Sequence, residues 1–228
     1  MTAENRPALT LYHCLSARSF RPLWMLEEIG VPYDLQVLPF PPRSQQRIYL
    51  AVNPLGTVPA LAEGALLMTE SAAICQYLAA RFSPGAMDVA VDEPDYGTYL
   101  NALHFGEATL TFPQTLVLRY RYFEPAERRQ PQVADDYARW FLARLRSLEP
   151  VLATREFLCA GRFTAADVSV AYALLLATHL DLSNHFTRAV AAYWARLQQR
   201  DGYRKALEVQ HQAALAQGVS TIPAPDIR

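Results

Sequence analysis

The apolar pattern of this chain changes period once, and that change restricts its architecture more than any other feature. Residues 9–82 alternate strand-length apolar runs with helix-period segments, whereas the apolar patterns beyond residue 94 are all helical. Leu9 to His13 has the length of one strand. Phe20, Leu23, Trp24, Leu26 and Ile29 then recur at helical spacing, with Gly30 as the stop. Pro22 falls in the first turn of that helix, where a missing N–H costs little. Tyr33 to Leu38 predicts a second strand, closed by Pro39-Phe40-Pro41-Pro42, and Arg43 to Val52 has room for a short helix. After the turn Asn53-Pro54-Leu55-Gly56, Val58 to Leu61 and Leu66 to Met68 predict a hairpin through Glu63-Gly64, and Ser71 to Phe82 a helix.

Residues 83–94 hold two prolines and a glycine without apolar periodicity, which marks a linker. The expected organisation is therefore an α/β domain over 1–82, a linker over 83–94 and an all-α domain over 95–228. In the second half, Tyr96 to Leu118 is a long helix that Pro113 must bend, and Val133 to Leu152 is amphipathic. Phe163-Thr164-Ala165-Ala166-Asp167 has the layout of a capping box with a hydrophobic staple to Val168. The helix it opens is apolar nearly all round through Thr178, hence buried. Arg188 to Arg200 and Tyr203 to Ala216 complete a helical bundle, and the tail Ala-Pro-Asp-Ile-Arg is expected to fray.

Composition narrows the function classes. The formal charge of −1 and the 51% apolar content exclude disorder and a broad electrostatic grip on nucleic acid or anionic membrane. Lys205 is the only lysine, so Schiff-base chemistry would rest on one residue. Cys14, Cys75 and Cys159 are scattered, which argues against a disulfide framework or a zinc site and for a reducing compartment. The first residues lack the layout of a secretory signal and no apolar run approaches a membrane span. The expectation is a cytoplasmic protein.

Three segments carry candidate chemistry. In Asn53 to Leu61, a cis Val58–Pro59 bond would turn the backbone N–H and C=O of Val58 outward, free to pair with an extended peptide-like ligand; the plainer reading is a turn entering a strand. In Met68 to Ile74, Ser71 opens a helix and favours an anion there, while Glu70 just outside can receive a cation. An α-amino-acid head group needs that pair, although a helix cap alone also explains it. In Tyr12 to Arg21, hydroxyls and an arginine at a helix N-terminus can hold a thiolate, or Ser16 or Ser19 can simply cap.

Together these segments resemble the glutathione transferase family over nearly the whole chain. Val58-Pro59 matches the family's Val-Pro before the third strand, Glu70-Ser71 its glutamate-serine pair, and Phe163 to Asp167 its capping motif; Leu9 to Glu28 looks like the bacterial version of its first strand and helix. The resemblance implies a thioredoxin-like N-terminal domain, a helical-bundle C-terminal domain and a homodimer. It implies that the Val58 backbone, beside Pro59, binds the cysteinyl part of glutathione, and that Glu70 and Ser71 bind its γ-glutamyl amine and carboxylate. Arg43, Gln46 or Arg47 would receive the glycyl carboxylate.

At the thiol-activating position the sequence departs from the family pattern. The serine of several classes falls at Ala17, or at Ser16 after a one-residue gap, and the cysteine of the bacterial beta class aligns with Arg18. Ser16, Arg18 and Ser19 form the candidate set, with Tyr12 behind them and Cys14 read as a packing residue. The implied reaction is attack of the glutathione thiolate on a small hydrophobic electrophile, without metal or nucleotide. Lowering a thiol pKa by about two units needs roughly 2.7 kcal/mol, which one charge-assisted hydrogen bond can supply. His104, Phe105, Glu107, Phe112, Tyr120 and Tyr122 are the candidates for the second-substrate wall. Disulfide or peroxide reduction, isomerase or lyase chemistry, and a non-catalytic binding role are the alternatives on the same fold.

Overall fold

A computed structural model describes residues 8–227; the leader reading of the first seven residues and the final Arg228 of the tail lie outside them. The chain divides into one unit made of the residues up to Leu78 with Asp201–Ile227, and another made of Ala79–Arg200. The first contains β1 (Leu9–His13), α1 (Phe20–Ile29), β2 (Tyr33–Val37), the single turn α2 (Pro42–Gln45), β3 (Ala60–Glu63), β4 (Leu66–Met68) and the start of α3 (Ser71–Phe82). The stretch read as one short helix over 43–52 is α2 followed by a 3₁₀ segment, Arg47–Ala51.

The sheet order is β2-β1-β3-β4. The helical crossover through α1 makes β2 parallel to β1, and the tight β3–β4 turn makes that pair antiparallel. β3 also runs antiparallel to β1, with Tyr12 opposite Ala60. Leu9, Leu11 and His13 alternate onto the buried face of β1, while Leu23, Trp24 and Leu26 of α1 are buried as their helical spacing requires. This is a thioredoxin-like arrangement, and the second unit is helical.

The second unit contains α4 (Tyr96–His104), α5 (Phe112–Leu118), α6 (Pro131–Leu145), α7 (Glu149–Leu152), α8 (Ala165–His179) and α9 (Arg188–Gln198). The long helix does not stop at Leu118. Two π-helical stretches, Phe105–Thr111 and Arg119–Phe123, carry it to residue 123, and Pro113 sits in the first turn of α5 directly after the first of them. The wider π ladder precedes the proline whose N–H is missing, so the chain continues where an α ladder would break. The amphipathic stretch 133–152 is interrupted between α6 and α7 by a 3₁₀ turn over Arg146–Leu148, just before Pro150 at the start of α7.

α8 is buried along nearly its whole length, and the capping box at its start is formed. The Asp167 carboxylate accepts from the backbone N–H of Thr164 at 2.8 Å and of Leu158 at 3.1 Å, and from the Tyr193 hydroxyl of α9 at 2.8 Å. No helix among the described residues is long and apolar enough to cross a membrane.

α10 (Asp201–Ala216) belongs with the first unit, a different grouping from the linear boundaries at residues 82 and 94. Tyr203 packs edge-on against Trp24 and Phe20, with ring centroids 4.9 and 5.7 Å away, and Lys205 pairs with Glu27 at 2.7 Å. Beyond α10, the Gln217 side chain accepts from the Val37 N–H and donates to the Leu35 carbonyl, each at 2.8 Å, which closes part of the open edge of β2. The tail is anchored rather than frayed: Ala224 and Pro225 are buried, and the Ala224 N–H donates to the Leu15 carbonyl at 2.7 Å. That bond and the apolar contact of Ala224 with the Cys14 and Ala17 cluster supply the burial that composition did not reveal.

Gly106, in the first π stretch, lies against α8. A Cβ there would sit 2.5 Å from the Ser169 carbonyl carbon and hydroxyl oxygen. In an exposed helix, alanine in place of glycine stabilises by about 1 kcal/mol; here Gly106→Ala is expected to destabilise by about 2–3 kcal/mol, as urea unfolding would measure.

Candidate functional site

Antiparallel pairing of β1 with β3 and of β3 with β4 places the end of β1, the start of β3 and the end of β4 at one end of the sheet. The three segments with candidate chemistry leave or enter the sheet at that end, so strand topology brings together residues that lie up to sixty positions apart.

At the start of β3 the Val58–Pro59 peptide is cis, and the strand begins only at Ala60, so Val58 precedes the ladder. Among the described residues, neither the N–H nor the C=O of Val58 takes a hydrogen-bond partner. The peptide before it is fixed: the Thr57 carbonyl accepts from the Tyr49 hydroxyl and from Asn53 Nδ2, both at 2.8 Å. Gly56 has a φ of +62°, and a Cβ there would lie 2.6 Å from Arg43 Cβ, so the turn before Val58 rests directly on α2. That contact places the backbone of Arg43 beside this loop, with its side chain exposed.

After β4, the Glu70 carbonyl accepts the Ile74 N–H at 2.9 Å, which makes Glu70 the N-terminal cap of α3, with its side chain exposed. Ser71, the first residue of α3, is only 3% exposed, and its hydroxyl accepts from Arg21 Nη1 at 3.1 Å. Glu70 and Ser71 are thus adjacent but unequal: an open carboxylate beside a hydroxyl at the helix N-terminus with a guanidinium beneath it.

The loop after β1 is held from the C-terminal helix. Gln210 of α10 accepts at Oε1 from the Ser16 N–H at 2.9 Å and meets His13 Nε2 at 3.1 Å, while its Nε2 donates to the Ser16 hydroxyl at 3.4 Å. Ser16 adopts a left-handed backbone, φ +53°, uncommon for a residue with a side chain. The Ser19 hydroxyl accepts the Cys14 N–H and donates to the Cys14 carbonyl, so it closes the loop on itself. Arg18 is half-buried. Tyr12 lies 5.4 Å from Tyr49, ring to ring, and packs with Val58 against a cluster containing Cys14, Ala17 and Ala60. Burial pushes the Cys14 thiol up to about 12, far from a reactive thiolate. Beside this loop, Leu15, Phe40, Ile222, Ala224 and Ile227 line an apolar hollow of about 220 Å³.

The residues considered for a second-substrate wall lie in the second unit, along the continuous helix from Tyr96 to Phe123. His104 is exposed, Phe112 is 55% exposed, Glu107 is half-buried, and Tyr120 is half-buried with the Arg119 guanidinium 5.4 Å from its ring centre. Arg119 and Arg121 are engaged by Glu124 and Asp135. Among the described residues, no group of three or more His, Cys, Asp or Glu is arranged to hold a metal ion.

Sequence reasoning missed Gln210 and the role of Arg21. Gln210 carried a signal: it is the polar member of the buried stripe Tyr203, Ala206, Gln210, Ala214, and a polar residue at such spacing needs a partner. Arg21 carried none, since arginine on a helix is ordinarily exposed.

Residues 15–81 match the family model described as the glutathione S-transferase N-terminal domain. Glutathione S-transferase 3 of Schizosaccharomyces pombe is 24% identical over 213 residues, 88% of this chain and 87% of that protein. Among solved structures, the glutathione transferase URE2P8 of Phanerochaete chrysosporium with oxidized glutathione superposes with a TM-score of 0.80 at 20% identity, covering 93% of this chain and 99% of that one. A sphingomonad glutathione S-transferase complexed with glutathione gives 0.77 at 24% identity, covering 88% and 98%. A thioredoxin-like domain followed by a helical domain is the class that the fold defines. Residues 15–81 thus match a glutathione S-transferase N-terminal domain, and the chain is similar to glutathione S-transferases over most of its length.

His13 makes the loop sensitive to acid. Burial lowers its pKa from 6.5 to about 4, against the weaker opposing effects of Gln210 and the Ser19 backbone. A base with a depressed folded pKa contributes stability that is full above its unfolded value and lost as pH falls toward the folded one. Between pH 7 and 4.5 this group alone is expected to withdraw roughly 2–3 kcal/mol. Urea unfolding at the two pH values should show a smaller acid loss in His13→Asn than in the unmodified chain.

Proposed function

We propose that this protein is a glutathione transferase that joins the glutathione thiolate to small hydrophobic electrophiles. The observation that carries the proposal is the meeting, at one end of the sheet, of three complementary features. An unpaired Val58 backbone suits the cysteinyl peptide, the open Glu70 carboxylate suits the γ-glutamyl ammonium, and Ser71 at the N-terminus of α3 suits the γ-glutamyl carboxylate. Arg43, held beside the Val58 loop by Gly56, is the donor proposed for the glycyl carboxylate. The solved structures of similar fold that contain glutathione or its oxidized form support this reading. Residues 1–82 would bind glutathione, and in residues 95–228 His104, Glu107, Phe112 and Tyr120 are the side chains proposed for the electrophile. Three free, buried cysteines fit a reducing, cytoplasmic setting, and the family supports a homodimer.

For thiol activation, Ser16, Arg18 and Ser19 are the proposed set; the Ser19 hydroxyl bonds both polar groups of Cys14, and the Ser16 hydroxyl accepts from Gln210 Nε2. The second reading, a non-catalytic glutathione-binding protein, is favoured by one observation: Ser16 is only 2% exposed and Ala17 offers no hydroxyl.

Two measurements test these readings. By calorimetry, Glu70→Ala is expected to weaken glutathione binding at least about tenfold, the size of one lost charge-assisted contact; unchanged affinity would overturn the site. The ultraviolet difference spectrum of bound glutathione is expected to show a thiolate band with an apparent pKa about two units below the free value of about 8.5. Binding without thiolate below pH 8 would replace the transferase reading by the non-catalytic one. Ser16→Ala should raise that pKa, and an unmoved value would assign the role to Arg18 or Ser19.

A further inference from the structure

Arg21 is fully buried, an unusual state for the side chain that keeps its charge most persistently. It is the second residue of α1, and its Nη1 donates to the Ser71 hydroxyl at 3.1 Å across fifty residues of sequence. Its charge is also felt one turn further along α3: burial raises the Cys75 thiol to about 12, and Arg21 pulls in the opposite direction. The guanidinium therefore lies under the first turn of α3, on the protein side of Ser71.

A serine hydroxyl has one proton to give and two lone pairs to receive with. With a guanidinium N–H occupying the acceptor side, the hydroxyl proton is left for a group outside, and a cation stands directly behind it. Both effects favour an anion at the N-terminus of α3, and they add to the partial positive charge of the helix end. Resting on the glutathione site proposed above, we infer that Arg21 is a positioning residue of that site, which sets the Ser71 hydroxyl and the local potential for the γ-glutamyl carboxylate without touching it. Selectivity for an α-carboxylate at this end of the ligand thus depends on a residue of α1, outside the segment that presents Ser71.

The test compares two ligands, glutathione and its analogue lacking the γ-glutamyl α-carboxylate, in 4-aminobutyryl-cysteinyl-glycine form, by calorimetry on the full chain. The unmodified protein is expected to prefer glutathione at least about tenfold, the size of one charge-assisted contact. In Arg21→Gln that preference should collapse toward one, because glutathione weakens while the analogue does not, and Arg21→Lys should restore part of it. A merely structural role would weaken both ligands together and leave the ratio intact; an intact ratio in a folded variant overturns the inference. No preference in the unmodified protein would instead overturn the carboxylate assignment of Ser71, and no binding at all the site itself. If neither variant folds, nitrogen NMR of the Arg21 guanidinium in the unmodified protein decides: the signal should shift with glutathione and not with the analogue, and equal shifts overturn the inference.

Discussion

The amide of Gln210 is the point on which the candidate site depends. One side chain of α10 receives the Ser16 N–H, donates to the Ser16 hydroxyl and meets the ring of His13, so that a loop containing a left-handed serine keeps one conformation. A loop of this kind pays conformational entropy of about 1–2 kcal/mol per fixed residue, and a buried, bidentate amide is the sort of contact that offsets it. The Ser19 hydroxyl adds a second tie inside the loop, and the bond from Ala224 to Leu15 a third from the tail. The geometry of this loop is thus set from the far end of the chain.

This explains why the C-terminal helix and tail group with the sheet rather than with the helices that precede them. The contact of Tyr203 with Trp24 and Phe20 is apolar and aromatic, Lys205 reaches Glu27, and Gln217 takes the place of a neighbouring strand at the edge of β2. Each contact covers a different feature of a small sheet and its helix: an apolar helix face, a carboxylate and an open backbone edge. A four-stranded sheet with two long helices has little core of its own, and the returning helix enlarges it.

Polar groups at this end of the sheet divide into two kinds. Ser19, Asn53 and Tyr49 hold backbone with their side chains. The Val58 peptide and the Glu70 carboxylate do not, and unpaired groups at a site of otherwise satisfied ones are what a polar ligand requires. Ser71 stands between the kinds, bonded on one side by Arg21 and open in its remaining capacity.

The linear sequence determined the local elements well. The limits of β1 and α3 agree with their apolar patterns, and the capping box at Thr164 and Asp167 forms where its spacing placed it, because caps and periodicity are set within a few residues. The strand mouth at Pro59 and the helix start at Ser71 were legible for the same reason: a proline before a strand and a serine opening a helix are local signals. The tertiary structure alone decided the rest. The long helix passes Pro113 because π turns absorb the missing donor, the tail is held because Leu15 offers a carbonyl, and Arg21 is buried because α3 places Ser71 above it. In each case the deciding partner lies on another element, at a distance in sequence over which neither periodicity nor composition carries information.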